Sequence, residues 1–277
     1  MSPGPPPVSG THRRNEDRFA APASVLVVLG GPGAPSRERF VRAVGPQSVV
    51  IAADSGLDAA LDARIVVPHV VGALASVTPT AVTRAERSGA AVHRHPRDKD
   101  ATDGELALDL AVEILGDLTD TGEGEPRHLV VVGGGGGRLD HLLGDVLGLV
   151  RERLAPFDVT AHLGPATITI VRAGRARSLH GRAGELVSLL AVSEPARGVT
   201  TEGLRWPLRE GDLAPGSTRG ASNEMEADEA RVSLLQGTLV AIAPGQPARD
   251  VEPRASRYDP SPRLHDGFGG PEDHRPQ

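Results

Sequence analysis

One lysine stands among the thirty basic residues of this 277-residue chain, and it lies in the acidic run Asp98-Lys99-Asp100-Ala101-Thr102-Asp103. Every other cation is arginine, so the retained lysine is either a chance survivor in a solvated loop or the mark of a place for a compact, rotatable ammonium rather than a planar fork. Phosphate contact within a metal site is such a place. Asp54 directly follows the apolar run Ile51-Ala52-Ala53, and ligands of open α/β sheets bind beyond the carboxyl ends of the strands. An aspartate there can equally cap a helix, and the same alternative holds for Asp100 and Asp103, which open an amphipathic stretch with Thr102 or Asp103 as its cap. A third group is the glycine run Gly133 to Gly137 followed by Arg138-Leu139-Asp140-His141. Glycines let a backbone approach a phosphate or turn sharply, and Arg138 supplies a cation. The run lacks the Lys-Ser or Lys-Thr pair of a Walker loop and the spacing of a dinucleotide fingerprint. His141 beside an aspartate reads as a structural hydrogen bond or as a base.

These side chains need strands and helices to carry them. Val25 to Leu29 is a short continuous apolar run ending in Gly30-Gly31-Pro32-Gly33, the pattern of a buried parallel strand entering a turn. Val49 to Ala53 and Leu129 to Val132 repeat it, and a weaker strand is expected over Ile65 to Val71, interrupted by Pro68. Arg37 to Ala43, Pro79 to Ser88 and Thr102 to Leu115 read as helices between them. Alternating strands and helices predict an N-terminal α/β domain with a mostly parallel sheet over 24–154. Beyond it, Thr167 to Val171, Glu185 to Ala191, Arg231 to Gln236 and Thr238 to Ile242 are strand-like runs punctuated by Gly, Pro and Ser, with no helix among them. They predict a small all-β sandwich or barrel over 155–247. The flanks 1–23 and 248–277, rich in proline and charge, are expected to be disordered extensions.

Composition excludes several classes. A formal net charge of -6 provides no basic field for nucleic acid, and no run of eighteen apolar residues could span a bilayer. No cysteine is present, so thiolate chemistry and disulfides are excluded. Without the apolar segment of a signal peptide near the start, the expected compartment is the cytoplasm. Only 2% of the residues are aromatic, and Trp206 is the sole tryptophan.

Ala53-Asp54-Ser55-Gly56, Lys99-Asp100-Ala101-Thr102-Asp103 and Gly136-Gly137-Arg138-Leu139-Asp140-His141 are followed by Gly203-Leu204-Arg205-Trp206-Pro207-Leu208 and Ser222-Asn223-Glu224. In this order the five segments resemble the thiamine pyrophosphokinase (thiamine diphosphokinase) family over most of Val25 to Pro244. The resemblance implies a nucleotide-handling α/β domain, a thiamine-binding β domain and a homodimer whose sites combine both. It implies transfer of a diphosphoryl unit from ATP to the thiamine hydroxyl, with AMP as the leaving group and Mg²⁺ as the metal. On that footing Asp54, Asp100 and Asp103 surround the metal, and Lys99 and Arg138 face phosphate. Asp140 and His141 would shape the nucleotide pocket. Trp206 would stack on a thiamine ring, unless it is simply core, and Ser222 and Asn223 would supply hydrogen bonds to thiamine or its pocket.

This chain departs from the family pattern at one place that matters. Where the family carries Gly-Asp-x-Asp-Ser, it reads Gly72-Ala73-Leu74-Ala75-Ser76. Alanine offers Mg²⁺ no oxygen, so impaired turnover is expected, with a non-catalytic thiamine or nucleotide binder as the alternative. A smaller departure is Asp145, where the family commonly has Asn.

Overall fold

The structure, a computed structural model, describes residues 24–33, 37–43, 48–117 and 127–245. The expected extensions 1–23 and 248–277 lie outside the described residues. Six strands build the first half: β1 (Ser24–Val28), β2 (Val49–Ala53), β3 (His69–Gly72), β4 (Ala91–Arg94), β5 (His128–Gly133) and β6 (Asp158–Leu163). Five helices connect them: α1 (Arg37–Ala43), α2 (Gly56–Asp62), α3 (Pro79–Arg87), α4 (Asp103–Asp117) and α5 (Leu139–Gly148). All neighbouring pairs in the order β6-β5-β1-β2-β3-β4 are parallel. The continuous apolar runs arise because helices cover both faces. Leu26, Val28 and Val50 pack with Phe40 of α1, Leu57 of α2 and Ala81 of α3 on one side. Val25, Val27 and Ile51 pack with Ala107, Leu108, Ala111 and Leu115 of α4 on the other.

The remaining strands are β7 (Ala166–Arg172), β8 (Arg177–His180), β9 (Leu186–Ala191), β10 (Ala196–Glu202), β11 (Gly211–Leu213), β12 (Asn223–Glu224), β13 (Glu229–Ser233) and β14 (Thr238–Ala243). After β6 the pairing turns antiparallel, and the same sheet continues as β6-β7-β14-β9-β12, ten strands wide among the described residues. A four-stranded sheet, β11-β10-β13-β8, packs over this antiparallel end through Val171, Leu189, Leu239, Val199, Leu213 and Val232. The second half is therefore a sandwich, one layer of which is an extension of the parallel sheet. Its strands alternate buried and exposed residues, as a layer with one dry face must. β6 follows the boundary expected at residue 154 yet pairs parallel with β5.

The expected strand at Ile65 to Val71 begins only at His69, because Pro68 has no N–H for the ladder. Two helices lacked a periodic signal in the sequence, although the capping alternative at Asp54 allowed a helix after β2. α2 is seven residues long, and α5 opens straight from the glycine run with Gly144 inside it. Among the described residues no helix is long and apolar enough to cross a membrane.

Candidate functional site

The strand order fixes where a ligand can enter. β2, β3 and β4 extend to one side of β1, whereas β5 and β6 extend to the other. The loops after β1 and β5 therefore part at a topological switch point, the place where open α/β sheets leave a crevice. A cleft of about 580 Å³ lies there, walled by Gly30, Gly31 and Pro32 after β1, Asp54 and Ser55 after β2, and Gly134, Gly136 and Gly137 after β5. Arg97, Lys99, Asp103, Arg138, His141 and Asp145 also line it.

Part of the glycine run serves the fold. A Cβ on Gly134 would meet the Pro32 carbonyl oxygen at 2.4 Å and the Gly31 carbonyl carbon at 2.5 Å. The Gly134 N–H donates to Gly30 O at 3.3 Å and the Gly136 N–H to Pro32 O at 3.2 Å. The two loops thus lie backbone against backbone, and that contact shapes the cleft floor.

The alternatives left open for the aspartates separate clearly. Asp54 adopts φ 43° at the end of β2, a left-handed conformation that aspartate tolerates better than most residues. Ser55, not Asp54, is the N-cap position of α2. The Asp54 carboxylate turns instead to the loop after β3, accepting from the Ser76 N–H at 3.4 Å. At α4, Thr102 takes the capping role, its Oγ1 accepting from the Glu105 N–H at 3.1 Å. Asp103 is thereby free of capping, and its Oδ1 accepts from the Ala73 N–H at 3.1 Å and from Lys99 Nζ at 2.8 Å. Lys99 Nζ also donates to Pro96 O at 3.1 Å, and its side chain is only 15% exposed.

Asp100 is exposed on the turn before α4 and is not in the cleft wall. Asp140 is also exposed and outside the wall. It takes the Arg138 guanidinium in a fork, Nε to Oδ1 at 3.1 Å and Nη2 to Oδ2 at 2.6 Å. That fork lowers the Asp140 carboxyl to about 2. His141 lines the cleft one turn before Asp145 on α5. Burial pushes the Asp145 carboxyl above the ordinary carboxylate range, against a smaller opposing pull from His141.

Among the described residues no three carboxylate or histidine side chains gather, so the protein by itself builds no cage for a metal ion. Of the three expected ligands, Asp54 and Asp103 reach the cleft, and each already accepts from the 72–76 loop. Ala73 and Ala75 in that loop add no oxygen from their side chains. The residues present do not fit a Mg²⁺ ion caged by protein side chains alone; two carboxylates hold that ion only together with substrate phosphates and water.

Trp206, Ser222 and Asn223 line a second hollow, of about 470 Å³, with Leu189, Leu208 and Arg219. Trp206 is 54% exposed, which removes it from the core. The Arg205 guanidinium carbon stands 5.1 Å from its ring centroid, a cation–π contact, while Arg205 Nη1 pairs with Glu224 Oε2 at 2.7 Å. The Asn223 amide is committed to the loop. Its Oδ1 accepts from the Trp206 N–H at 3.0 Å and the Glu224 N–H at 2.9 Å, and its Nδ2 donates to Trp206 O at 2.8 Å. Ser222 sits at φ 56°, its N–H donating to Ser188 Oγ at 3.1 Å.

Arg97 and the Gly30–Pro32 loop belong to the cleft but were not legible as site residues. Arg97 neighbours the Lys99 run, and the first glycine loop was readable only as a turn, since its meeting with the second requires the strand order.

Two family descriptions match the chain in succession. Thiamin pyrophosphokinase, catalytic domain, covers residues 41–159 and so most of the cleft; thiamin pyrophosphokinase, vitamin B1 binding domain, covers 174–239 and the second hollow. The thiamine pyrophosphokinase of Bacillus subtilis is 28% identical over 200 residues, 69% of this chain and 85% of that protein. The crystal structure of the Bacillus subtilis enzyme superposes with a TM-score of 0.67 at 24% identity, covering 81% of this chain and all of that one. The thiamin pyrophosphokinase structure from Geobacillus thermodenitrificans gives 0.65 at 27% identity, covering 82% of this chain and all of that one. With both domain types matched in order and the fold shared, the chain belongs to the thiamine pyrophosphokinase family.

Proposed function

We propose that this chain is a thiamine pyrophosphokinase of reduced turnover, which passes a diphosphoryl group from ATP to the thiamine hydroxyl and releases thiamine diphosphate and AMP. The observation that carries this reading is the cleft at the switch point, which holds Asp54, Lys99, Asp103, Arg138 and His141 within the catalytic match. In the reaction the hydroxyl oxygen bonds to the β-phosphorus as the bridge to the α-phosphate breaks, and the hydroxyl proton is lost. Such a transfer is catalysed chiefly by positioning and by charge opposite the phosphoryl oxygens. Lys99, Arg97 and Arg138 supply cations to the polyphosphate, and His141 with the first turn of α5 borders the nucleotide. Trp206 offers its uncovered face to the thiazolium, with Arg219 and Ser222 at the rim of the hollow.

Within one chain the two hollows share no wall. From β9, which lines the vitamin hollow through Leu189, to β1 at the cleft is five strand steps, about 24 Å at 4.8 Å per step. Reacting atoms must come to about 3 Å, so a second copy has to bring its β half to this cleft. The proposal therefore includes a homodimer. Leu139, Leu143 and Leu147, exposed at 75, 54 and 47% in one row of α5 beside the cleft, offer an apolar face for that contact.

The reading is tested by following AMP and thiamine diphosphate formed from thiamine, ATP and magnesium. The native chain should turn over slowly, and Ala73→Asp/Ala75→Asp, which adds the missing carboxylates beside Asp54 and Asp103, should be faster by about a hundredfold or more. If both proteins bind thiamine and ATP yet neither forms AMP, the chain is a binder. Ala73 and Ala75 are the observation that favours that second reading.

A further inference from the structure

The loop from Gly72 to Ser76 closes on the two cleft carboxylates with its own main chain. Its Ala73 N–H bonds to Asp103 and its Ser76 N–H to Asp54. At Gly72, where φ is +137°, a Cβ would stand 2.8 Å from Asp103 Oδ1, so the loop backbone runs in contact with that carboxylate. Lys99 Nζ, at 2.8 Å, bonds to the same oxygen. Asp103 Oδ1 thus carries both an amide and an ammonium. Mg²⁺ requires oxygens at about 2.0–2.1 Å in a near-octahedral shell, and a cation already seated on the oxygen opposes it by space and by charge.

We infer that Lys99 takes the place of a protein-held divalent ion in this cleft, so that a nucleoside polyphosphate binds in its metal-free form at least as readily as with magnesium. The inference rests on the nucleotide reading proposed above and goes beyond it to the ionic form that this chain accepts. An ammonium has three donors, and Lys99 commits two of them, to Asp103 and to Pro96 O. The third remains for a phosphate oxygen. Arg97 adds a cation at the cleft wall with no ion-pair or hydrogen-bond partner among the described residues. A metal-free polyphosphate carries more negative charge than its magnesium complex, and fixed cations hold it more strongly.

The test is calorimetry of ATP with the full chain, thiamine omitted, once in excess chelator and once in excess magnesium. The dissociation constant in chelator should equal or fall below that in magnesium, within about threefold. Binding in magnesium that weakens by about tenfold or more in chelator would overturn the inference while leaving the nucleotide reading intact. Absence of ATP binding under both conditions would overturn the nucleotide reading and the inference with it. Lys99→Met, checked for folding by circular dichroism, should weaken ATP in chelator by about tenfold. Unchanged affinity would remove Lys99 from the role. Independently of any variant, magnesium chloride alone should leave the melting temperature of the native chain where it was, and a saturable rise would overturn the inference.

Discussion

Asn223→Ala isolates the clamp that holds Trp206. The side chain is 7% exposed and makes three hydrogen bonds, all to main-chain groups of Trp206 and Glu224. Truncation leaves two N–H groups and one carbonyl without their partners. A buried polar group stripped of its bond costs about 1–3 kcal/mol, and the partly open loop admits water to some of them, so the sum should be about 2–3 kcal/mol. For a chain of this size that lowers the melting temperature by roughly 5–10 °C. Trp206, the sole tryptophan, reports the local consequence directly. Its emission should shift to the red and its anisotropy should fall as the loop loosens, and thiamine quenching should weaken in parallel. Ser222→Ala is the matched control. Its hydroxyl has no hydrogen-bond partner among the described residues, so stability should change by less than about 0.5 kcal/mol. An Asn223→Ala protein that loses under about 1 kcal/mol and keeps the native Trp206 spectrum would refute the clamp.

Other consequences follow from the cleft. Burial raises the folded-state pKa of Asp145, so its ionised form costs stability at neutral pH, and the cost vanishes as pH falls below the unfolded carboxylate range. Asp145→Asn should therefore melt higher than the native chain at neutral pH and lose that advantage in acid; a gain independent of pH would exclude this origin. Lys99→Arg should weaken ATP binding by about tenfold, because a fork cannot occupy the confined position between Asp103 Oδ1 and Pro96 O, whereas Arg153→Lys, on an exposed ion pair with Asp109, should change nothing. Equal affinities in the two variants would contradict the special standing of the lysine.

The alternation of strands and helices was legible in the first half because each parallel strand is buried on both faces and so reads as an unbroken apolar run. Val49–Ala53 and Arg37–Ala43 match the expected limits at both ends. β4, with the sequence Ala-Val-His-Arg and an edge position, has no such run and gave no signal. β8 and β10 were missed for a related reason: only one face is dry, and polar residues alternate with few apolar ones. The sandwich was legible as a run of short strands. Its continuity with the parallel sheet was not, because that depends on β7 turning back antiparallel on β6.

Residue chemistry by itself determined the candidate groups: a lone lysine among arginines, glycine runs after strands, and alanines at 73 and 75. Those are properties of side chains, and they survive in a linear string. Only the tertiary structure decided which of the aspartates meet. Asp54 and Asp103 lie in segments far apart along the chain, and they converge because β2 and β3 are neighbours and α4 crosses the same sheet face. Asp100, three residues from Asp103, is exposed outside the cleft wall. The same holds for Lys99, whose partner is chosen by competition among nearby groups in space, and for the cleft itself, which exists because β5 was placed beside β1 rather than beyond β4. A five-residue apolar strand fits any slot in a parallel sheet, so its position is settled by long-range pairing and helix packing.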